Sequence, residues 1–327
     1  MKALVYISWP VKAWSIPDEK VTVLRERFPE LDFVHAATQN DARESVEDVD
    51  LSFTPFLTNE MVDAASRLRW VHSPASAVEG LLPLPSLAAR GVVVTNSRGI
   101  QAIPIAEHVM GGLLVLSRRF DRTLAAQREK RWVQNDLSED WPWTLHGRRM
   151  TVVGLGTIGM EVAKRAHAFG MLVTGVRRRT DEPHPIFVER IVGPDRLSEA
   201  LTGCDVLVLS APAVAATQRM IGAAQIAMLN PGAIIVNVAR GQIVDEDAMR
   251  HALATGQLGG AVLDVFDREP LEATSPLWSL PNVIITPHCS GFRASHWEHV
   301  IDLFSDNLRR FQKGEELRNV VDVREGY

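Results

Sequence analysis

Residues Gly154-Leu155-Gly156-Thr157-Ile158-Gly159 have the spacing G-x-G-x-x-G, directly after the apolar run 150–153 and directly before a helix-like segment ending near Gly170. In that setting the first glycine permits a tight turn, the second lets the backbone approach a pyrophosphate, and the third lets helix and strand pack closely. The helix N-terminus is then aimed at the anion. All six residues are expected to bind a dinucleotide. A site that reads the ribose of NAD places an acidic residue about 20 positions further on. Here the next strand-like run ends in Gly175-Val176-Arg177-Arg178-Arg179, and Asp181 and Glu182 fall past the position. A guanidinium pairs bidentately with a 2'-phosphate, so Arg177, Arg178 and Arg179 make NADP(H) the expected cofactor, with NAD(H) as the alternative. The other reading of these arginines is a solvated basic turn.

Three later motifs lie at or just beyond the ends of strand-like runs, where ligands gather in open α/β sheets. They are Val236-Asn237-Val238-Ala239-Arg240-Gly241, Leu263-Asp264-Val265-Phe266-Asp267-Arg268-Glu269-Pro270 and Thr286-Pro287-His288-Cys289-Ser290-Gly291. Singly, each has an ordinary reading: an Arg in a surface ion pair, a Glu-Pro turn, a structural His. Arg, Glu and His in this order after a G-x-G-x-x-G turn form a specific combination, and with it nearly the whole chain resembles the D-isomer-specific 2-hydroxyacid dehydrogenase family, its glyoxylate/hydroxypyruvate reductases in particular.

That resemblance implies an NAD(P)H-dependent reduction of a small 2-keto acid to a D-2-hydroxy acid, and the reverse. It implies that Arg240 binds the substrate carboxylate and polarises the keto oxygen, that His288 is the acid/base, and that Glu269 hydrogen-bonds and orients His288. Asp264 would face the nicotinamide carboxamide. Ala211, Pro212 and Thr217 would line the cofactor beside Val238, Ala239, His288, Ser290 and Gly291. In the first domain, the stretch from His72 to Gly80 occupies the place of a loop whose backbone amides bind the substrate carboxylate, with Ser76 and Ala77 as substrate contacts. The family often has Gly-Val-Asp where this chain has Ala77-Val78-Glu79, and Ala77 lacks glycine's access to positive φ. The family usually dimerises through the cofactor domain and the arm before the glycine turn, so a homodimer is expected. Trp141 or Trp143 of a partner arm is a candidate to enter the active site. Two other readings share the pocket: a dinucleotide-sensing binding protein or corepressor, and a phosphoglycerate dehydrogenase-like enzyme.

Positioning these residues requires an α/β fold, since short apolar runs alternate with helix-length segments throughout. Runs 3–7, 31–35, 50–53, 69–72 and 92–95 read as strands, with helical stretches 17–28 and 59–66 between them. A second block reads as six strands, 150–153, 172–176, 206–209, 233–238, 260–265 and 283–286, with helices 158–169 and 245–255. Their continuous apolarity means burial on both faces. The apolar stretch 104–119 reads as a buried helix joining the blocks, 128–148 as an extended arm carrying Trp132, Trp141 and Trp143, and 296–312 as a helix returning to the first domain. The expected fold is two doubly wound parallel-sheet domains: a Rossmann cofactor domain, residues 99–291 with a dimerisation arm at about 120–148, inserted in a flavodoxin-like substrate domain, residues 1–98 and 292–327.

Composition narrows the class. The chain has 327 residues, 46% hydrophobic and 23% charged, room for two cores. A formal charge of -5 argues against a nucleic-acid partner, whose binding needs clustered cations. Cys204 and Cys289 are too distant in sequence for a metal knuckle or redox pair, and no metal site is expected. No stretch approaches the roughly 18 apolar residues of a membrane helix. The N-terminal run is shorter than a signal-peptide core, and a cytoplasmic location is expected.

Overall fold

Alternating apolar runs and helices fold, in a computed structural model that describes residues 1–81, 85–181 and 184–322, into two parallel sheets. Glu182, the side chain of Glu79 and residues 323–327 lie outside the described residues. The chain divides into two compact units, Met1–Ile100 with Phe292–Tyr327, and Gln101–Gly291.

The first unit is built on β1 (Lys2–Val5), β2 (Asp32–His35), β3 (Leu51–Phe53), β4 (Trp70–Ser73) and β5 (Val93–Asn96), in the order β2-β1-β3-β4-β5. This is the flavodoxin-like order, with strands every one of which pairs in parallel. The helix His296–Lys313 packs on this sheet, placing Trp297, Val300, Ile301 and Phe304 in one core with Ala3, Val5, Phe53 and Trp70.

The second unit carries β6 (Arg149–Val153), β7 (Leu172–Val176), β8 (Arg190–Val192), β9 (Val206–Leu209), β10 (Ala233–Asn237), β11 (Leu258–Leu263) and β12 (Val283–Ile285), in the order β12-β11-β10-β9-β6-β7-β8. The order reverses between β6 and β9, which sets a crevice at the C-terminal ends of those strands. β9 and β10 are buried along their full length, as their unbroken apolar runs require. The helix Ala102–Ser117 packs Ile105, Ala106, Val109, Met110 and Leu113 against that sheet.

Two expectations change. The second sheet has a seventh strand, β8, a three-residue edge strand opening on exposed Arg190. The arm is not simply extended. It contains the short helix Gln134–Glu139, which follows the helix Phe120–Arg128, and Trp132 and Trp141 lie outside both.

Candidate active site

The glycine turn sits at the crevice between β6 and β9. Gly154 takes φ +93°, and a Cβ there would approach the Ala211 backbone closer than 3.0 Å. A Cβ on Gly159 would likewise strike the Gly154 carbonyl, so both positions exclude a side chain. The turn is held by Gly154 and Leu155 amides donating to Val176 O at 3.0 and 3.1 Å, and by Ser210 Oγ donating to Gly154 O at 2.9 Å. Around Gly156 the situation is opposite: a Cβ would meet nothing within 4 Å. Gly156 is also the N-cap of the helix Thr157–Ala168, without a side chain to cap it. Open space in front of a helix N-terminus, walled by glycines on either side, fits the pyrophosphate of a dinucleotide. Leu155 and Ile158 face inward, packing into the core beneath the turn.

Arg177, Arg178 and Arg179 follow β7 directly, the first half-buried and the other two exposed. Across the crevice, Ala211 is buried and Pro212 exposed. Thr217, expected to line the cofactor, also braces its own loop. Its hydroxyl donates to Pro212 O at 2.7 Å and accepts from the Val214 amide at 2.9 Å, so it closes its own loop.

At the C-terminal ends of β10, β11 and β12 the three expected catalytic residues are set by short, highly bonded turns. After β10, the buried Asn237 side chain accepts from the Ala239 amide at 3.1 Å and donates to Arg240 O at 2.9 Å. Val238 and Ala239 are buried in that turn. Gly241 has no room for a Cβ beside the Phe266 backbone, so the Arg240 turn touches the one that presents Glu269. Glu269 accepts from the Phe266 amide through Oε1 at 3.0 Å and meets His288 Nδ1 through Oε2 at 2.7 Å. Burial pushes the Glu269 pKa up, but the hydrogen bonds from His288 and Phe266, with the nearby charge of Arg240, outweigh it and leave the carboxyl below its ordinary 4.5. Glu269 is thus ionised near neutral pH and accepts a proton-bearing Nδ1, which leaves Nε2 as the edge of His288 that exchanges protons. The side chains of His288 and Glu269 are 46% and 34% exposed, within reach of a small ligand.

His288 adopts φ +50°, a left-handed conformation costing about 1–2 kcal/mol for a residue with a Cβ. Asp264 holds it there. The His288 amide donates to Asp264 O at 2.9 Å, while Asp264 Oδ1 accepts from the Cys289 amide at 2.9 Å and Thr286 Oγ1 at 2.6 Å, and Oδ2 accepts from the Ser290 amide at 2.9 Å. Asp264, expected to face the nicotinamide carboxamide, is 0% exposed, with both carboxylate oxygens engaged on the His288 loop. Thr286 is itself bonded to His108 Nε2 at 3.1 Å. Ser290 is buried, and Gly291 closes the unit against the Gln101 side chain. Asn237, Ser210, Thr286 and His108 were not singled out from sequence. Ser210, Thr286 and His108 are common residues whose polar partners are distant along the chain, while the Asn237 side chain bonds to its near neighbours Ala239 and Arg240.

In the other unit, Ser76 and Ala77 lie half-buried in the loop after β4. Ala77 is not among the residues at positive φ, so the loop's path accommodates an alanine there. In the arm, Trp143 is packed on the second unit's core and its amide donates to Ser117 O at 2.9 Å. Trp132 and Trp141 are 89% and 73% exposed. Among the described residues no helix is long and apolar enough to cross a membrane.

A family model described as D-isomer specific 2-hydroxyacid dehydrogenase, NAD binding domain, matches residues 110–290. The chain is 33% identical over 312 residues to glyoxylate/hydroxypyruvate reductase B of Pectobacterium carotovorum, covering 93% of this chain and 92% of that protein. It is 29% identical over 311 residues to D-3-phosphoglycerate dehydrogenase of Methanocaldococcus jannaschii, covering 93% of this chain but only 58% of that longer protein. The crystal structure of a D-isomer specific 2-hydroxyacid dehydrogenase from Xanthobacter autotrophicus, in complex with NADPH and MES, aligns with a TM-score of 0.85 at 30% identity and covers 99% of both chains.

Proposed function

Because the chain belongs to the D-isomer specific 2-hydroxyacid dehydrogenase family and is an NAD(P)-dependent oxidoreductase, we propose that it reduces a small 2-keto acid of the glyoxylate or hydroxypyruvate class, with NADP(H) preferred. The observation that carries this reading is the His288–Glu269 pair at 2.7 Å, held in the same unit as a glycine turn open at Gly156. A bound NADPH supplies the hydride that adds to the keto carbon. Glu269 stabilises the imidazolium of His288, which gives its Nε2 proton to the oxygen as the carbonyl bond opens. The product is the 2-hydroxy acid, and His288 is left neutral. Arg240 offers a guanidinium fork to the carboxylate end of the acid. Arg177, Arg178 and Arg179 stand where an NAD site would place a carboxylate, which supports the NADP preference.

The arm adds a partner. Trp132, Trp141, Phe120 and Leu124 are all exposed on the second unit, an apolar surface suited to a second copy of the chain. Sedimentation of the purified protein is expected to give a homodimer. Of Trp141 and Trp143, Trp141 has the exposure to reach a partner's site, since Trp143 is committed to its own core.

The test is NADPH oxidation at 340 nm with glyoxylate, hydroxypyruvate, pyruvate and 3-phosphohydroxypyruvate, beside NADH and beside His288→Ala. Turnover that collapses in the variant supports the reductase, and the preferred acid separates it from a phosphoglycerate dehydrogenase-like enzyme. Tight NADPH binding without turnover on any acid overturns it in favour of a dinucleotide sensor.

A further inference from the structure

Beneath the loop after β4 runs a buried chain of hydrogen bonds that the proposed reaction does not use directly. Trp70 Nε1 donates to Thr95 Oγ1 at 2.8 Å, Thr95 Oγ1 meets His72 Nδ1 at 2.7 Å, His72 Nε2 meets Ser97 Oγ at 3.2 Å, and Ser97 Oγ donates to Ser73 O at 3.0 Å. All five side chains are buried. Its proton order is determined by elimination. Ser73 O can only accept, so the Ser97 hydroxyl proton goes there, and Ser97 must accept from a proton on His72 Nε2. His72 Nδ1 is then the acceptor, and the Thr95 hydroxyl donates to it. The ring is boxed by Phe53 and Phe304, and burial alone lowers its pKa to about 3, which keeps the ring neutral across the working range while its hydrogen-bond partners select the tautomer.

The chain ends on the loop expected to hold the substrate carboxylate, where the carbonyls of Ser73, Ala75, Ser76 and Ala77 are each engaged by a donor of the same unit. Ser73 O takes the Ser97 hydroxyl; Ala75 O takes the Ser97 amide at 3.0 Å; Ser76 O takes Asn96 Nδ2 at 2.8 Å; Ala77 O takes Ser73 Oγ at 2.9 Å. The amides of Ser76 and Ala77 find no acceptor among the described residues. A loop in which these carbonyls are engaged and the amides remain available is polarised for an anion.

We propose that His72, through Ser97 and Ser73, is a positioning residue for substrate carboxylate binding: it fixes the loop so that the amides of Ser76 and Ala77 converge on the acid. This rests on the reductase reading above. Ser97 has two bonds to the loop, one through its hydroxyl and one through its amide, so removing the hydroxyl loosens the loop without deleting it.

The experiment is steady-state kinetics on the full chain with the best 2-keto acid, oxalate as a competitive carboxylate probe, and thermal melting in parallel. In Ser97→Ala and His72→Leu, KM for the acid and Ki for oxalate are expected to rise together by roughly tenfold, the equilibrium worth of one hydrogen bond, with KM for NADPH unchanged. His72→Gln retains an amide donor that reaches towards Ser97 and is expected to recover most of the affinity. A lower melting temperature with unchanged KM and Ki in Ser97→Ala overturns the proposal, as does failure of the glutamine to improve on leucine. If wild type turns over no 2-keto acid, both the ladder and the reductase reading fall; if it does turn over, an unmoved oxalate Ki removes the ladder alone.

Discussion

Three single-methyl insertions into the glycine turn have outcomes that differ in kind. At Gly154, alanine must hold φ +93° and collide with the Ala211 backbone. The left-handed backbone costs about 1–2 kcal/mol and the overpacking about 1–3, so Gly154→Ala is expected to destabilise by about 2–5 kcal/mol. At roughly 2–4 °C per kcal/mol for a unit of this size, the melting temperature falls by about 4–20 °C. Gly159→Ala meets the Gly154 carbonyl and loses about 1–3 kcal/mol by overpacking alone. Gly156→Ala meets nothing within 4 Å, so the fold is expected to melt within a few degrees of wild type. Its methyl instead stands in front of the helix N-terminus and displaces a bound pyrophosphate. Each charge-assisted hydrogen bond lost there is worth about 1.5–3 kcal/mol, and NADPH Kd should rise at least tenfold. Differential scanning fluorimetry and nucleotide fluorescence titration on the three variants read both quantities. A Gly156→Ala protein that binds NADPH as tightly as wild type refutes the pyrophosphate assignment. A Gly154→Ala protein with wild-type melting refutes the turn geometry.

Replacing Arg178 and Arg179 with alanine is expected to raise KM for NADPH by tenfold or more, through lost charge-assisted bonds, while KM for NADH moves less than about twofold; equal changes would remove the 2'-phosphate assignment. Glu269→Gln keeps a hydrogen-bonding group 2.7 Å from His288 Nδ1 but removes the charge that stabilises the imidazolium. A loss of about tenfold to a hundredfold in kcat for reduction, with KM for the acid nearly unchanged, follows from general acid catalysis, and a KM effect alone would contradict it. His72 gives a stability test. Its pKa is lowered by burial from 6.5 to about 3, so below pH 6.5 the unfolded chain takes up a proton that the folded chain refuses. Stability from this group is full above pH 6.5 and declines as pH falls towards 3, at a limiting slope of about 1.4 kcal/mol per pH unit. Urea unfolding between pH 6.5 and 4 should show a steeper decline for wild type than for His72→Gln. Parallel curves would mean that His72 is not buried as a neutral ring.

What was legible in the sequence is what short-range chemistry dictates. The runs of β9 and β10 are apolar at nearly every position because both faces are covered, and the glycine turn is local enough that six consecutive residues state its geometry. β8 was invisible because an edge strand of three residues opening on Arg190 carries no such run. The helix Gln134–Glu139 buries no residue, so it has no apolar period to detect.

The polar scaffolding was illegible for a different reason. Asp264 finds its partners 22, 25 and 26 residues along the chain, and His72 finds Thr95 and Ser97 at 23 and 25. In a parallel sheet such pairs are joined by a crossover of arbitrary length, so no spacing rule links them. Register does. β4 and β5 pair with His72 opposite Thr95 and Ser73 opposite Asn96, which brings His72 beside Thr95 at the point where the chain turns into the loop. The same logic operates where β11 pairs with β12, which brings Asp264 alongside Thr286 just past the last paired residues, Leu263 and Ile285. In both units a buried polar residue at the C-terminal end of one strand fixes the loop at or beside the end of its neighbour, so the chemistry at the strand ends inherits its precision from sheet register. A substitution that shifts register by one residue would turn His72 or Asp264 to the opposite face and disable the loop it holds, without touching Arg240, Glu269 or His288.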